Sequence, residues 1–192
     1  MEVSTPYMSR RTTAIAAALS VLALGSPLIT GCMNPLETQT LEFMRNFSQG
    51  LEKYEAGNYQ GAITDYDKAI EIDSQSAFAY YNRGIAKYNL EDYQGAISDY
   101  TKAIEINPHY SNPQYADAYH NRGNAKKDFG DYQGAIVDYD KAIEINPQYA
   151  SAYLNRGIAR ELVNDLAGAC SDWRKAADFG LKEPAQWVKN QC

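Results

Sequence analysis

The chain has 192 residues, 45% of them apolar and 22% charged, which suits one or two globular domains and excludes a disordered polymer. Eighteen basic and 24 acidic side chains give a net charge of −6 without the Lys/Arg cluster that phosphate-backbone binding needs, so nucleic acid is excluded as a partner. Two His and three Cys are too few for most metal cages or a disulfide scaffold, so neither metal nor cofactor is expected.

In chain order, the first segment is an export signal. Arg10-Arg11 precede the apolar run Ala14–Leu24, and no charge occurs from Ala14 to Met33. The run is shorter than the ~20 apolar residues of a membrane span. A basic start, a short apolar core and a small-residue exit together predict a secretory signal over residues 1–31. Its exit, Ile29-Thr30-Gly31-Cys32, resembles a bacterial lipobox, which implies cleavage before Cys32 and lipidation of its thiol. Two or three acyl chains would then hold the chain on a membrane. Ordinary cleavage near Gly25 or Gly31, with Cys32 a bystander, is the alternative. Residues 32–42 are expected to form a tether. Loss of Arg10, Arg11 and Glu2 with the signal shifts the net charge from −6 to −7, so the folded part is the more acidic one.

Next comes an internal repeat. Asp92–Pro108 reads DYQGAISDYTKAIEINP and Asp131–Pro147 reads DYQGAIVDYDKAIEINP; Asn58–Ser74 is close to both, and Asp165–Leu181 is a degraded copy. A second phrase lies upstream: YYNRG at Tyr80, YHNRG at Tyr119 and YLNRG at Tyr153. Gly50, Gly84, Gly123 and Gly157 are spaced by 34, 39 and 34 residues, so the unit is 34 residues with five extra before the third copy. Apolar positions such as Ala62/Ile63, Tyr66 and Ala69/Ile70 mark one helical face, and Tyr80, Gly84, Ala86 and Tyr88 carry that of the preceding helix. Asn58, Asp92, Asp131 and Asp165 stand where helix N-caps belong. Asn107-Pro108 and Asn146-Pro147 end the second helices, and Gly57 and Gly130 serve the turns between helices. Neither helix of a unit could bury its stripe alone, so the units must stack.

These residues carry a family resemblance: the chain resembles a tetratricopeptide repeat (TPR) protein. The pattern of aromatic, Gly, Ala, aromatic, Ala and Pro is met by Tyr80, Gly84, Ala96, Tyr100, Ala103 and Pro108, and again by Tyr119, Gly123, Ala135, Tyr139, Ala142 and Pro147. The resemblance implies an all-α, right-handed α-solenoid of about four helix-turn-helix units with a C-terminal capping helix. The units are placed at 43–76, 77–110, 116–149 and 150–183, with an insertion at 111–115 and the closing helix at 184–192. The insertion reads as one more turn on the next helix or as a flexible loop. Asn46 and Gln49 depart from the pattern in the first unit, and Cys170, Trp173 and Leu181 in the last. Terminal repeats commonly depart in this way.

The family usually has Leu where Arg83, Arg122 and Arg156 stand. Each Arg is expected to pair with the Asp of the preceding unit, from the series Asp65, Asp99, Asp138 and Asp172, fixing register more than adding stability. A solvated Arg is the alternative. Arg156→Leu is therefore expected to be well tolerated. The paired acids Asp65/Asp67 and Asp138/Asp140 read as solvated helix edges. Cys170 and Cys192 are expected to oxidise after export, the alternative being a buried thiol and a frayed terminus; in the entropy model the bond contributes ~3 kcal/mol.

No P-loop, G-x-S-x-G, H-E-x-x-H or glycine-rich dinucleotide turn is present, so the chain is not expected to be an enzyme. The resemblance implies a concave groove lined by first helices. Its positions fall on Phe47, Leu51 and Tyr54, on Phe78, Tyr81, Tyr88 and Asn89, on His120, Asn124 and Lys127, and on Leu154 and Ile158. Large aromatic surfaces with few rotors suit peptide recognition, though packing between helices would explain several of them equally well. Phe47, Leu51, Asp117 and Asn121 occupy positions where a chaperone-binding groove would carry Lys, Arg and Asn, so chaperone C-termini are an unsuitable ligand. The expected function is a membrane-tethered adaptor for a protein or peptide partner, exported and facing the periplasm of a bacterium of cyanobacterial style. A self-assembling homo-oligomer and a glycan or peptidoglycan-enzyme accessory factor are the alternatives.

Overall fold

The computed structural model describes residues 35–106, 113–182, 184, 187, 188 and 192. The signal, Cys32, and the connector 107–112 lie outside the described residues. Eight helices run through the remainder: α1 (Pro35–Glu55), α2 (Tyr59–Ile72), α3 (Ala77–Asn89), α4 (Tyr93–Ile106), α5 (Pro113–Phe129), α6 (Tyr132–Ile145), α7 (Ala150–Leu162) and α8 (Leu166–Asp178). No strand occurs among the described residues. Each helix packs on the next in the chain, and the first helices α1, α3, α5 and α7 also touch their successors. This is the helical-pair solenoid that the repeat implies.

Local chemistry sets the boundaries. Asn58, Asp92, Asp131 and Asp165 accept the N–H groups of Gly61, Gly95, Gly134 and Gly168 at 2.9–3.0 Å, which starts α2, α4, α6 and α8. The turns before these caps need a left-handed residue. Gly57 and Gly130 supply it at φ 75° and 97°, whereas Glu91 and Asn164 adopt it at φ 62° and 66°. A β-carbon is disfavoured in that region. Glu91→Gly is expected to stabilise the fold by ~1 kcal/mol, read as a higher midpoint in urea; an unmoved midpoint would remove the strain argument.

The core repeats with the sequence. Ala62/Tyr66/Ala69, Ala96/Tyr100/Ala103, Ala135/Tyr139/Ala142 and Ala169/Trp173/Ala176 are all buried. Each ring lies on a glycine of the partner helix. A Cβ at Gly50, Gly84, Gly123 or Gly157 would sit 2.5–2.8 Å from Tyr66, Tyr100, Tyr139 or Trp173, so the close approach of the helices needs the missing side chain.

Two readings of the boundaries are sharpened. Helix α1 begins at Pro35, inside the segment expected to be a tether; Pro suits a first helical turn, and Glu37 there favours the helix dipole. Residues 35–40 are exposed, so this stretch is a helical extension beyond the packed core. Helix α5 has 17 residues against 13 for α3 and α7, about one turn more. At the other end Pro184 is buried, Trp187 meets Trp173 edge-on at 5.4 Å, and a disulfide joins Cys170 to Cys192 with their Cα atoms 5.7 Å apart.

Candidate functional site

The first helices are held in place by a buried ionic row that the sequence pattern only half disclosed. Asp99 accepts Arg83 Nε at 2.8 Å and Nη2 at 2.6 Å, and Lys87 Nζ lies 2.8 Å away. Asp138 is held by Arg122 and Lys126, and Asp172 by Arg156 and Arg160. In the first unit Gln49 replaces the Arg, and Lys53 and Lys68 reach Asp65 at 2.5 and 3.1 Å. Asp65, Asp99, Asp138 and Asp172 are 1–3% exposed, so the reading of Asp65 and Asp138 as solvated edges is corrected. Burial alone would raise the Asp65 carboxyl, but hydrogen bonds from Lys53 and Lys68 outweigh it and hold the carboxyl below its ordinary range.

The expected pairing is corrected as well. Each Arg forks onto the buried Asp of its own unit and spends only Nη1 on the unit before. There Arg83 meets Asp67 at 2.6 Å and Arg156 meets Asp140 at 2.5 Å. At the middle junction Thr101 stands in that place, and its hydroxyl accepts Arg122 Nη1 at 3.0 Å. The guanidinium carbons lie 5.2–5.4 Å over the rings of Tyr80, Tyr119 and Tyr153.

With the first helices so fixed, their facing side chains link unit to unit. Asn89 Nδ2 donates to Ile85 O at 2.8 Å and approaches the Tyr54 hydroxyl at 3.4 Å. Asn121 Nδ2 donates to the Tyr81 hydroxyl at 2.9 Å, and the Tyr88 hydroxyl donates to Asp128. Asn155 Nδ2 reaches Asn124 Oδ1 at 2.9 Å and His120 Nε2 at 3.0 Å, while Tyr149 donates to Asp117 at 2.6 Å. The result is a row of half-buried hydroxyls, amides and ring faces spanning α1, α3, α5 and α7. Such groups recognise shape and hydrogen-bond pattern.

The expected groove residues divide on this geometry. Phe78 is 48% exposed, and Tyr54, Tyr81, Tyr88, Asn89, Asn124, Lys127 and Leu154 are half-buried along the row. Lys127 pairs with Asp128 beside it. Phe47 is corrected: it is buried against Tyr66 at 5.7 Å between ring centres, because α1 must fill the end of the core. His120 is corrected too, being buried under Tyr149 and Tyr139, with burial pushing its ring down to about 4. Asn155, Asp128 and Tyr149 belong to the row and were not foreseen. The recurring Asn of the NRG phrase, Asn82, Asn121 and Asn155, was the available signal.

Models of the tetratricopeptide repeat match residues 77–110 and 116–149, and a TPR-repeat model matches residues 50–91. No curated protein matches the chain. Among solved structures, one crystal structure of MamA protein is 29% identical, with a TM-score of 0.67 over 75% of this chain and 76% of that one. Another crystal structure of MamA is 26% identical, with a TM-score of 0.68 over 93% and 96%. The Arabidopsis OM64 TPR domain is 26% identical, with a TM-score of 0.60 over 65% and 98%. Residues 50–110 and 116–149 thus match tetratricopeptide repeats, which typically mediate protein–protein interaction.

Proposed function

We propose that this protein is an exported adaptor, held on a bacterial membrane by lipid on Cys32, that binds a protein or peptide partner in the groove lined by α1, α3, α5 and α7. The observation that carries the reading is the row of half-buried Tyr54, Tyr81 and Tyr88, whose hydroxyls are already held or approached by Asn89, Asn121 and Asp128. Rings fixed in advance lose little freedom on binding, which is the economical way to present an aromatic contact surface. Phe78 and Leu154 widen that surface at its apolar positions.

Replacing Phe78 and Tyr88 together by Ala is expected to remove the captured partner from affinity-purified membrane fractions while the helical circular dichroism is kept. An unchanged set of partners would exclude this face. The export reading rests on the Ile29-Thr30-Gly31-Cys32 pattern. Cys32→Ser is expected to move the protein from the membrane to the soluble fraction and to abolish labelling by radioactive palmitate. Membrane retention with no label in the parent chain would remove the anchor. Among the described residues no helix is long and apolar enough to cross a membrane.

A further inference from the structure

The edge where each first helix hands over to its second helix carries a pattern that the groove does not use. Leu90, Phe129, Leu162, Val163 and Leu166 lie there, 37–57% exposed. Leu90, Phe129 and Val163 share one repeat position, just before the left-handed residues Glu91, Gly130 and Asn164. The Tyr88–Asp128 hydrogen bond joins the last turns of α3 and α5, so Leu90 and Phe129 sit on adjoining tips. A single exposed apolar residue is ordinary, but one at the same place in three successive units makes a stripe.

The charge along this edge is predominantly acidic. The cations of the last turns, Lys53, Lys87, Lys126 and Arg160, are turned inward onto Asp65, Asp99, Asp138 and Asp172. Glu55, Glu91 and Glu161 stay exposed at those same turns, and the exposed caps Asp92, Asp131 and Asp165 add to them. The buried ionic row thus engages most of the positive charge at the edge, and Lys127 is paired with Asp128.

We infer that this edge is a second docking surface and that its occupant is a basic amphipathic helix of a partner protein. Packed helices lie ~8–10 Å apart, and residues seven apart on an α-helix are separated by ~10 Å. A helix laid across the tips with an apolar residue every second turn meets one tip per unit, and its flanking Lys or Arg meet the acids. An anionic membrane is repelled by such an edge, and a second copy of the chain would bring the same acids against it.

The test uses the full chain and a synthetic helix of about 21 residues with Leu at every seventh position and Lys beside it, matched by a version with Glu in place of Lys. Fluorescence anisotropy is expected to show binding of the Lys helix, weakening with salt, and none of the Glu helix. Leu90→Ser with Phe129→Ser should weaken binding by roughly tenfold or more, whereas Phe78→Ala with Leu154→Ala should leave it unchanged. No binding, equal binding of the Glu helix, or indifference to the Leu90/Phe129 pair would overturn the inference. So would self-association or retention on phosphatidylglycerol vesicles that the same pair abolishes, since either would name a different occupant.

Discussion

Replacing Arg122 by Leu is expected to lower stability by ~3 kcal/mol, because it leaves a buried carboxylate with half of its partners. Asp138 is 1% exposed and takes two hydrogen bonds from Arg122, at 2.9 and 2.7 Å, and one ion pair from Lys126, at 2.8 Å. Lys126 remains after the substitution but supplies a single ammonium where a planar fork stood. For a chain of this size ~3 kcal/mol corresponds to a fall of ~10 °C in thermal denaturation. Arg122→Leu with Asp138→Leu should recover most of the loss, since a buried pair can be exchanged for apolar packing at little net cost and Lys126 can turn to solvent. A fall of only a degree or two in the single variant would show that the carboxylate finds water.

The same reasoning reverses the expectation that Arg156→Leu is well tolerated. That expectation paired Arg156 with the recurring Asp of the preceding unit and took the pair to fix register more than add stability, whereas its contact in that unit is with the half-exposed Asp140. The fork instead grips Asp172, whose side chain is 2% exposed. Sequence spacing showed that Arg and Asp recur in register, but not which Asp faces inward. Asp138 and Asp140 are two residues apart on one helix, and only the packing of α6 against α5 decides between them. The second cation, Lys87, Lys126 or Arg160, is one turn beyond each Arg and was legible in principle. Pattern alone does not mark it as a partner, because a cation at a helix end is usually a solvated charge.

Repeat period, helix caps, turn residues and the aromatic core were legible because each is set within one unit. The capping aspartates, for example, bond three residues ahead, and the Gly–Tyr contact joins the two helices of a single unit. The groove was less legible because it arises between units. Tyr88 and Asp128 are 40 residues apart, and nothing local marks them as neighbours. By position Phe47 falls on the groove, but among the described residues no unit precedes α1, and its aromatic ring turns into the core. The five-residue insertion further shifts the numbering between α3 and α5, which hides the Tyr81–Asn121 match.

Acid is expected to destabilise the protein through His120. The ring is buried, Asn155 Nδ2 donates to its Nε2 at 3.0 Å, and its Nδ1 lies 3.4 Å from the Tyr149 hydroxyl, which itself donates to Asp117. This arrangement suits a neutral imidazole with its proton on Nδ1; a second proton on Nε2 would face the Asn155 amide donor. Burial pushes the ring from the ordinary 6.5 down to about 4, and the Lys127 charge acts in the same sense. The sign follows from proton uptake. Below pH 6.5 the unfolded chain binds a proton that the folded chain refuses, so stability is full above 6.5 and falls until pH 4, by ~3 kcal/mol for that interval. Asp117, whose carboxyl burial raises, opposes this only as pH nears the carboxylate range, where its folded form takes up a proton more readily. Urea midpoints at pH 7 and pH 4.5 should therefore differ strongly for the parent chain and much less for His120→Gln, whose carbonyl oxygen can still accept from Asn155. Equal pH dependence in the two chains would assign the acid sensitivity to the carboxylates of the ionic row.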